Sequence, residues 1–139
     1  MPNTEPPPVQ EPLRVSILKQ GDCLVASIHS ALDDAQLLRF RADLLEQIGH
    51  NRSHGVIIDV AALDVIDSFA CHTLRTLAQV ARLRGAETIV VGIQPDIALA
   101  MVRLGTTLHP VRTALDLEEG LAYLDSSAPG DSPRRDTRR

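Results

Sequence analysis

The run Gly55-Val-Ile-Ile-Asp-Val60 does most to limit what this chain can fold into. It is short and almost unbroken in apolar character. A strand with one wet face would alternate; an unbroken run suits a strand covered on both faces, as in a parallel sheet. On either side lie stretches of helical spacing. Residues 33–49 place Leu37, Leu38, Phe40, Leu44, Leu45 and Ile48 at intervals of three and four, with Asp33 or Asp34 as N-cap and Gly49 as the expected C′ residue. Residues 68–84 do the same with Leu74, Leu77, Ala78 and Ala81, stopped by Gly85.

The same reading extends along the chain. Residues 14–19 alternate, Gln20-Gly21-Asp22 has turn chemistry, and residues 23–28 form a second strand, which predicts a hairpin with a three-residue loop. His50–His54 is predicted as a polar loop. Residues 87–91 form the next strand. A helix starts at Pro95, which suits a first turn, and stops before Gly105. Residues 111–114 are a short strand of edge type. Residues 116–124 are a last helix with Asp116 as cap and Glu118 and Glu119 in its first turn. The expected order is ββαβαβαβα, an α/β domain on a mixed, mainly parallel sheet.

The core so defined is residues 14–124, 111 of the 139, enough for one domain with a self-sufficient apolar interior. Residues 1–13 hold five of the nine prolines and read as a flexible leader; residues 125–139 are polar throughout and read as a disordered tail ending in Arg134, Arg135, Arg138 and Arg139. The core carries ten Arg and Lys against thirteen Asp and Glu, so no basic stripe offers itself to nucleic acid. Phe40, Phe69 and Tyr123 are too few for base-stacking platforms. No apolar run reaches the ~18–20 residues of a membrane span, and no basic n-region precedes an apolar stretch. Cys23 and Cys71 form neither a disulfide framework nor a zinc spacing, which points to a reducing, cytoplasmic setting. A cofactor motif of the GxGxxG or phosphate-loop kind is missing as well.

What chemistry remains sits in the loop after the buried strand. Asp64 and Asp67 precede Ser68, which stands at the start of the second helix, followed by Phe69. Asp67 and Ser68 suffice as plain helix caps. The sharper reading is a phosphorylation site. A phosphate on Ser68 would face the positive end of a helix and add about −1.5 to −2 of charge beside two carboxylates. A nucleophilic serine is disfavoured, since no G-x-S-x-G elbow surrounds Ser68, whose flanks are Asp67 and Phe69. His50 and His54 are four apart but lie in a predicted loop, so no metal is expected. Cys71, one turn into the helix, is where a thiolate gains from the helix N-terminus, which leaves a redox role open. Gly92, Ile93, Gln94 and Pro95 form a second strand-to-helix loop on the same sheet edge, either a simple helix entry or a second part of one recognition face.

Val65-Ile-Asp-Ser68-Phe, Arg84-Gly-Ala86, Val91-Gly-Ile-Gln-Pro95 and Arg103-Leu-Gly105 resemble the STAS-domain family of anti-sigma factor antagonists. The resemblance covers about residues 13–124 and is nearest to the scaffold branch of bacterial stressosomes. It implies the ββαβαβαβα order and a non-enzymatic role. It also implies that Ser68 accepts phosphate from an RsbT-like serine kinase that the unphosphorylated scaffold holds and then releases for stress signalling. Implied partners are that kinase, RsbR-like STAS proteins and further copies of the chain in a large assembly. Asp64, Asp67, Ser68, Phe69, Gly92, Ile93, Gln94 and Pro95 are the implied partner-binding face. The thirteen leading residues are too short for the sensory domain of the longer RsbR type. The alternative within the family is a SpoIIAA-like antagonist that binds an anti-sigma kinase one-to-one; outside it, a small serine or thiol enzyme.

Overall fold

The computed structural model describes residues 14–127; the expectations for residues 1–13 and 128–139 lie outside the described residues. Nine elements follow in chain order: β1 (Val15–Gln20), β2 (Cys23–Ile28), α1 (Asp34–Asn51), β3 (Gly55–Asp59), α2 (Ser68–Leu83), β4 (Glu87–Val91), α3 (Pro95–Leu104), β5 (Arg112–Ala114) and α4 (Leu117–Ser127). The strands lie in one sheet in sequential order, β1 to β5. Only β1 and β2 are antiparallel; β2, β3, β4 and β5 are parallel. This is the expected order and the expected mixed, mainly parallel sheet.

The buried strand explains the layering. Successive side chains of β3 point to opposite faces. Val56 and Ile58 join Leu24, Ala26, Ile28 and Val90 in the larger core, beneath α1, α2 and α3. Ile57 joins Val25, Ile89 and Val91 in a smaller core, covered by α4 through Leu117, Leu121 and Leu124. Val56, Ile57 and Ile58 are fully enclosed, which is why the run had to be apolar without a break.

Four local expectations are corrected. The hairpin turn has two residues, because Gln20 pairs with Cys23 and only Gly21 and Asp22 lie between. Gly21 takes φ +62°, which suits the glycine-first type of hairpin turn. Helix α1 runs past Gly49 to Asn51, so His50 is helical and not in a loop. Arg52 ends α1 in the left-handed conformation (φ 53°), its N–H donating to the Gly49 and Ile48 carbonyls. At the other end, α4 continues through Asp125 to Ser127, three residues beyond the expected end of the last helix at Leu124.

Candidate functional site

The ladder β2–β3–β4 is in step at its carboxyl end: Ser27 pairs with Asp59, and Asp59 with Val91. The chains leaving β3 and β4 therefore emerge side by side. The Val60 N–H donates to the Val91 carbonyl at 3.0 Å, extending the pairing one residue beyond the strands. Asp59 turns its carboxylate onto the Ala61 N–H at 2.9 Å, and Leu63 N–H closes a turn on the Val60 carbonyl at 3.0 Å. Leu63 and Ile66 then insert into the larger core, leaving Asp64, Val65, Asp67 and Ser68 exposed. The loop is thus pinned at two apolar points, with its polar residues outward.

Asp67 alone caps α2. Its side chain accepts from the Ala70 N–H at 2.8 Å, and its carbonyl takes the first helical bond, from Cys71 N–H at 3.0 Å. Ser68 is the first helical residue, exposed, and is not the cap. No acidic residue occupies the first turn of α2 itself. The Ser68 hydroxyl is therefore presented to solvent at the positive end of a 16-residue helix.

The second loop is built into the first. The Gln94 side-chain amide donates to the Ala61 carbonyl at 2.7 Å. Gly92 takes φ +84°, and a Cβ there would stand 2.9 Å from the Ala61 Cβ and 3.1 Å from both the Ala61 nitrogen and an Asp59 carboxylate oxygen. Ile93 packs against the larger core. Pro95 opens α3, whose N-cap Gln94 has spent its side chain on Ala61 and makes no capping bond. So the structure braces the Gly92–Pro95 segment against Ala61, at the start of the loop that leads through Asp64 to Phe69. The hydrogen bond of Gln94 and the stacking of Gly92 on Ala61 are the link; Ala61 itself is a participant that sequence reasoning missed, since a lone alanine in a loop carries no chemical signal. Phe69 is half-buried, so it is less a surface contact than its neighbours.

Other candidates separate from this edge. Cys71 is fully enclosed, and burial pushes its thiol above the ordinary value near 9.0; Arg75 pulls it down and Asp67 pushes it up by smaller amounts. The stabilised thiolate expected from its place near the helix N-terminus is thus not what the environment favours. Because the folded chain prefers the neutral thiol, its contribution to stability is present below pH ~9 and declines as pH rises beyond the unfolded value. Alkylation of the native protein should accordingly modify half-exposed Cys23 well before Cys71, which should react at the rate of global unfolding. Fast native modification of Cys71 would contradict this. Among the described residues no group of three or more His, Cys, Asp or Glu is placed to hold a metal. Among them, too, no helix is long and apolar enough to cross a membrane.

The STAS-domain family model matches residues 14–120, so the chain belongs to the STAS-domain family. Within it, the likeness is to stressosome proteins. A solved Ser-to-Glu variant of Moorella thermoacetica RsbS is 34% identical, with a TM-score of 0.70 over 82% of this chain and 97% of that one. A chain of a structure described as the molecular architecture of the stressosome, a signal integration and transduction hub, is 31% identical, with a TM-score of 0.65 over 82% of this chain and 99% of that one. The RsbT co-antagonist protein RsbRA of Bacillus subtilis (strain 168) is 31% identical over 97 residues, 70% of this chain. This chain spans about a third of the length of that relative, 35%. The unphosphorylated anti-sigma factor antagonist SpoIIAA shares the fold, with a TM-score of 0.60, at 15% identity.

Proposed function

We propose that this protein is a non-enzymatic phospho-switch scaffold of a stressosome: it holds an RsbT-like serine kinase at the Asp64–Phe69 and Gly92–Pro95 edge, accepts phosphate from it on Ser68, and then releases it. The observation that carries the reading is the exposed hydroxyl of Ser68 at the first position of α2, one residue after the capping Asp67. A kinase needs a hydroxyl it can reach, and the backbone N–H groups at a helix start suit the phosphate that results. The capping bond belongs to Asp67, so modifying Ser68 does not require the helix to give up its cap.

RsbR-like STAS proteins are the assembly partners in this reading. The likeness to RsbS, and to a relative whose name makes it a co-antagonist of RsbT, supports it. The likeness to SpoIIAA is of fold alone, and for that reason we prefer the stressosome reading to one-to-one antagonism.

The test is incubation of the full chain with an RsbT-type kinase and ATP, followed by intact mass and site mapping. One phosphate should be gained, on Ser68, and Ser68→Ala should gain none. Undiminished labelling of Ser68→Ala would remove the assignment. Complex formation of the unmodified protein with an RsbR-type chain, read by sedimentation, tests the scaffold role separately.

A further inference from the structure

We propose that the recess between α2, β4 and the start of β5 is a binding site for a small free oxyanion of the phosphate or sulfate class. It lies at the amino end of β4, whereas the Ser68 edge lies at the carboxyl ends of the strands. The proposal therefore does not depend on the kinase reading.

Thr88 is the starting point. β4 reads Glu87-Thr-Ile-Val-Val91, and Thr88 is its one enclosed polar residue, 4% exposed. It stands two residues before Val90 and so turns to the same face, toward α2. Its Oγ1 is buried and has no hydrogen-bond partner. Buried hydroxyls are ordinarily paired, and a valine would fill the same shape without leaving a donor orphaned. The hydroxyl calls for an acceptor that the fold itself does not supply.

The surroundings of Thr88 identify the ligand. Thr88 lines a recess of about 60 Å³, the room of about two water molecules. Arg75, Ala78, Gln79 and Arg82 line it from α2, spaced i, i+3, i+4 and i+7, which is one helix face. Ala78 leaves the room; the other three are donors. Arg75 spends Nη1 on the Thr107 carbonyl, which holds the side chain across the gap between α2 and the segment after α3. A guanidinium has five N–H donors, so the rest remain for a ligand. Arg82 is 71% exposed and meets Glu87 at 3.7 Å, beyond hydrogen-bond length, so it can turn toward an anion. Arg112 is committed elsewhere. It pairs with Ile89 and stacks 4.0 Å from the Tyr123 ring, on the face that α4 covers. Glu87 is the one carboxylate in the lining, against Arg75 and Arg82. Two guanidinium forks and a hydroxyl around so small a space suit a compact anion that accepts from several directions at once. An extended organic anion is too large for it.

Calorimetric titration of the full chain with inorganic phosphate, and separately with sulfate, should show saturable binding at one site per chain. Melting temperatures measured against chloride at equal ionic strength should rise with the logarithm of oxyanion concentration beyond saturation. Thr88→Val should weaken binding by about tenfold or more, because it removes a hydrogen bond to a charged group. That variant should fold well, since it exchanges an orphaned hydroxyl for a methyl of similar shape. Arg82→Gln should cost a similar factor, and Glu87→Gln should tighten binding several-fold by removing the opposing carboxylate. Ser68→Ala should bind as the parent does. Saturable binding of neither anion overturns the proposal and leaves the hydroxyl to water. An equal rise in melting temperature for the parent and Thr88→Val also overturns it, since both salts stabilise any fold by exclusion from its surface. Binding that survives Thr88→Val and Arg82→Gln undiminished overturns it too, by placing the anion elsewhere.

Discussion

Gly92→Val should be among the most damaging single substitutions on the functional edge, lowering stability by about 2–5 kcal/mol and the melting temperature by roughly 10–20 °C. Two costs combine. The backbone at Gly92 has φ +84°, where a β-branched side chain is strained. A Cβ would also meet Ala61 at 2.9 Å, and Ala61 cannot retreat, because its N–H is held by Asp59 and its carbonyl by Gln94. Gly21→Ala separates the two costs: Gly21 also has a positive φ, +62°, but nothing lies within 4 Å of a Cβ there. It should lose only the conformational term, about 1 kcal/mol. Thermal and urea unfolding of Gly92→Ala and Gly21→Ala together then measure the Ala61 contact. Equal losses would show that the two loops are not braced against each other at this point.

This bracing marks the boundary between what could be read in the chain and what could not. The enclosed strand was legible because covering both faces leaves β3 no polar option until Asp59. The order of elements followed from the change between strand and helix periods. The loop before α2 was legible as a helix start, because Asp and Ser are both residue types that cap one. The division of labour between the two was not: Asp67 takes the capping bond and Ser68 does not, and either residue type satisfies a cap. Gly49 misled in a similar way. Glycine is common at a C′ position, but here it lies inside α1, and the Arg84 guanidinium occupies the space a Cβ would need. Ending α1 fell to Arg52, which sequence gives no reason to place in the left-handed region. The assignment of three helices to one face and α4 to the other was illegible for a different reason. All four helices are amphipathic, and the side each takes depends on pairings distant in sequence.

Ser68→Asp should separate stability from binding. In the folded chain the new carboxylate stands at the first position of α2, next to the capping Asp67, in a first turn that otherwise holds no acidic residue. That location favours a negative charge by about 0.3–1 kcal/mol. The melting temperature should therefore hold or rise slightly, despite Asp67 next door and Asp64 nearby in the loop. Affinity for the kinase should move the other way. The docking edge proposed above already carries two carboxylates, and a partner shaped to it must now also accommodate a buried or crowded third. Uncompensated like charge at an interface costs several kcal/mol, so a loss of at least ~30-fold in affinity is expected. The loss should shrink as salt rises toward ~1 M, where the screening length falls to about 3 Å. Ser68→Asn, similar in size to the aspartate but neutral, should keep most of the affinity. Calorimetric titration of the three proteins against the kinase at two salt concentrations, beside their melting curves, reads all of this. If the aspartate and asparagine variants bind equally well, charge at Ser68 is not what releases the kinase, and the switch must act through the bulk of the phosphate instead.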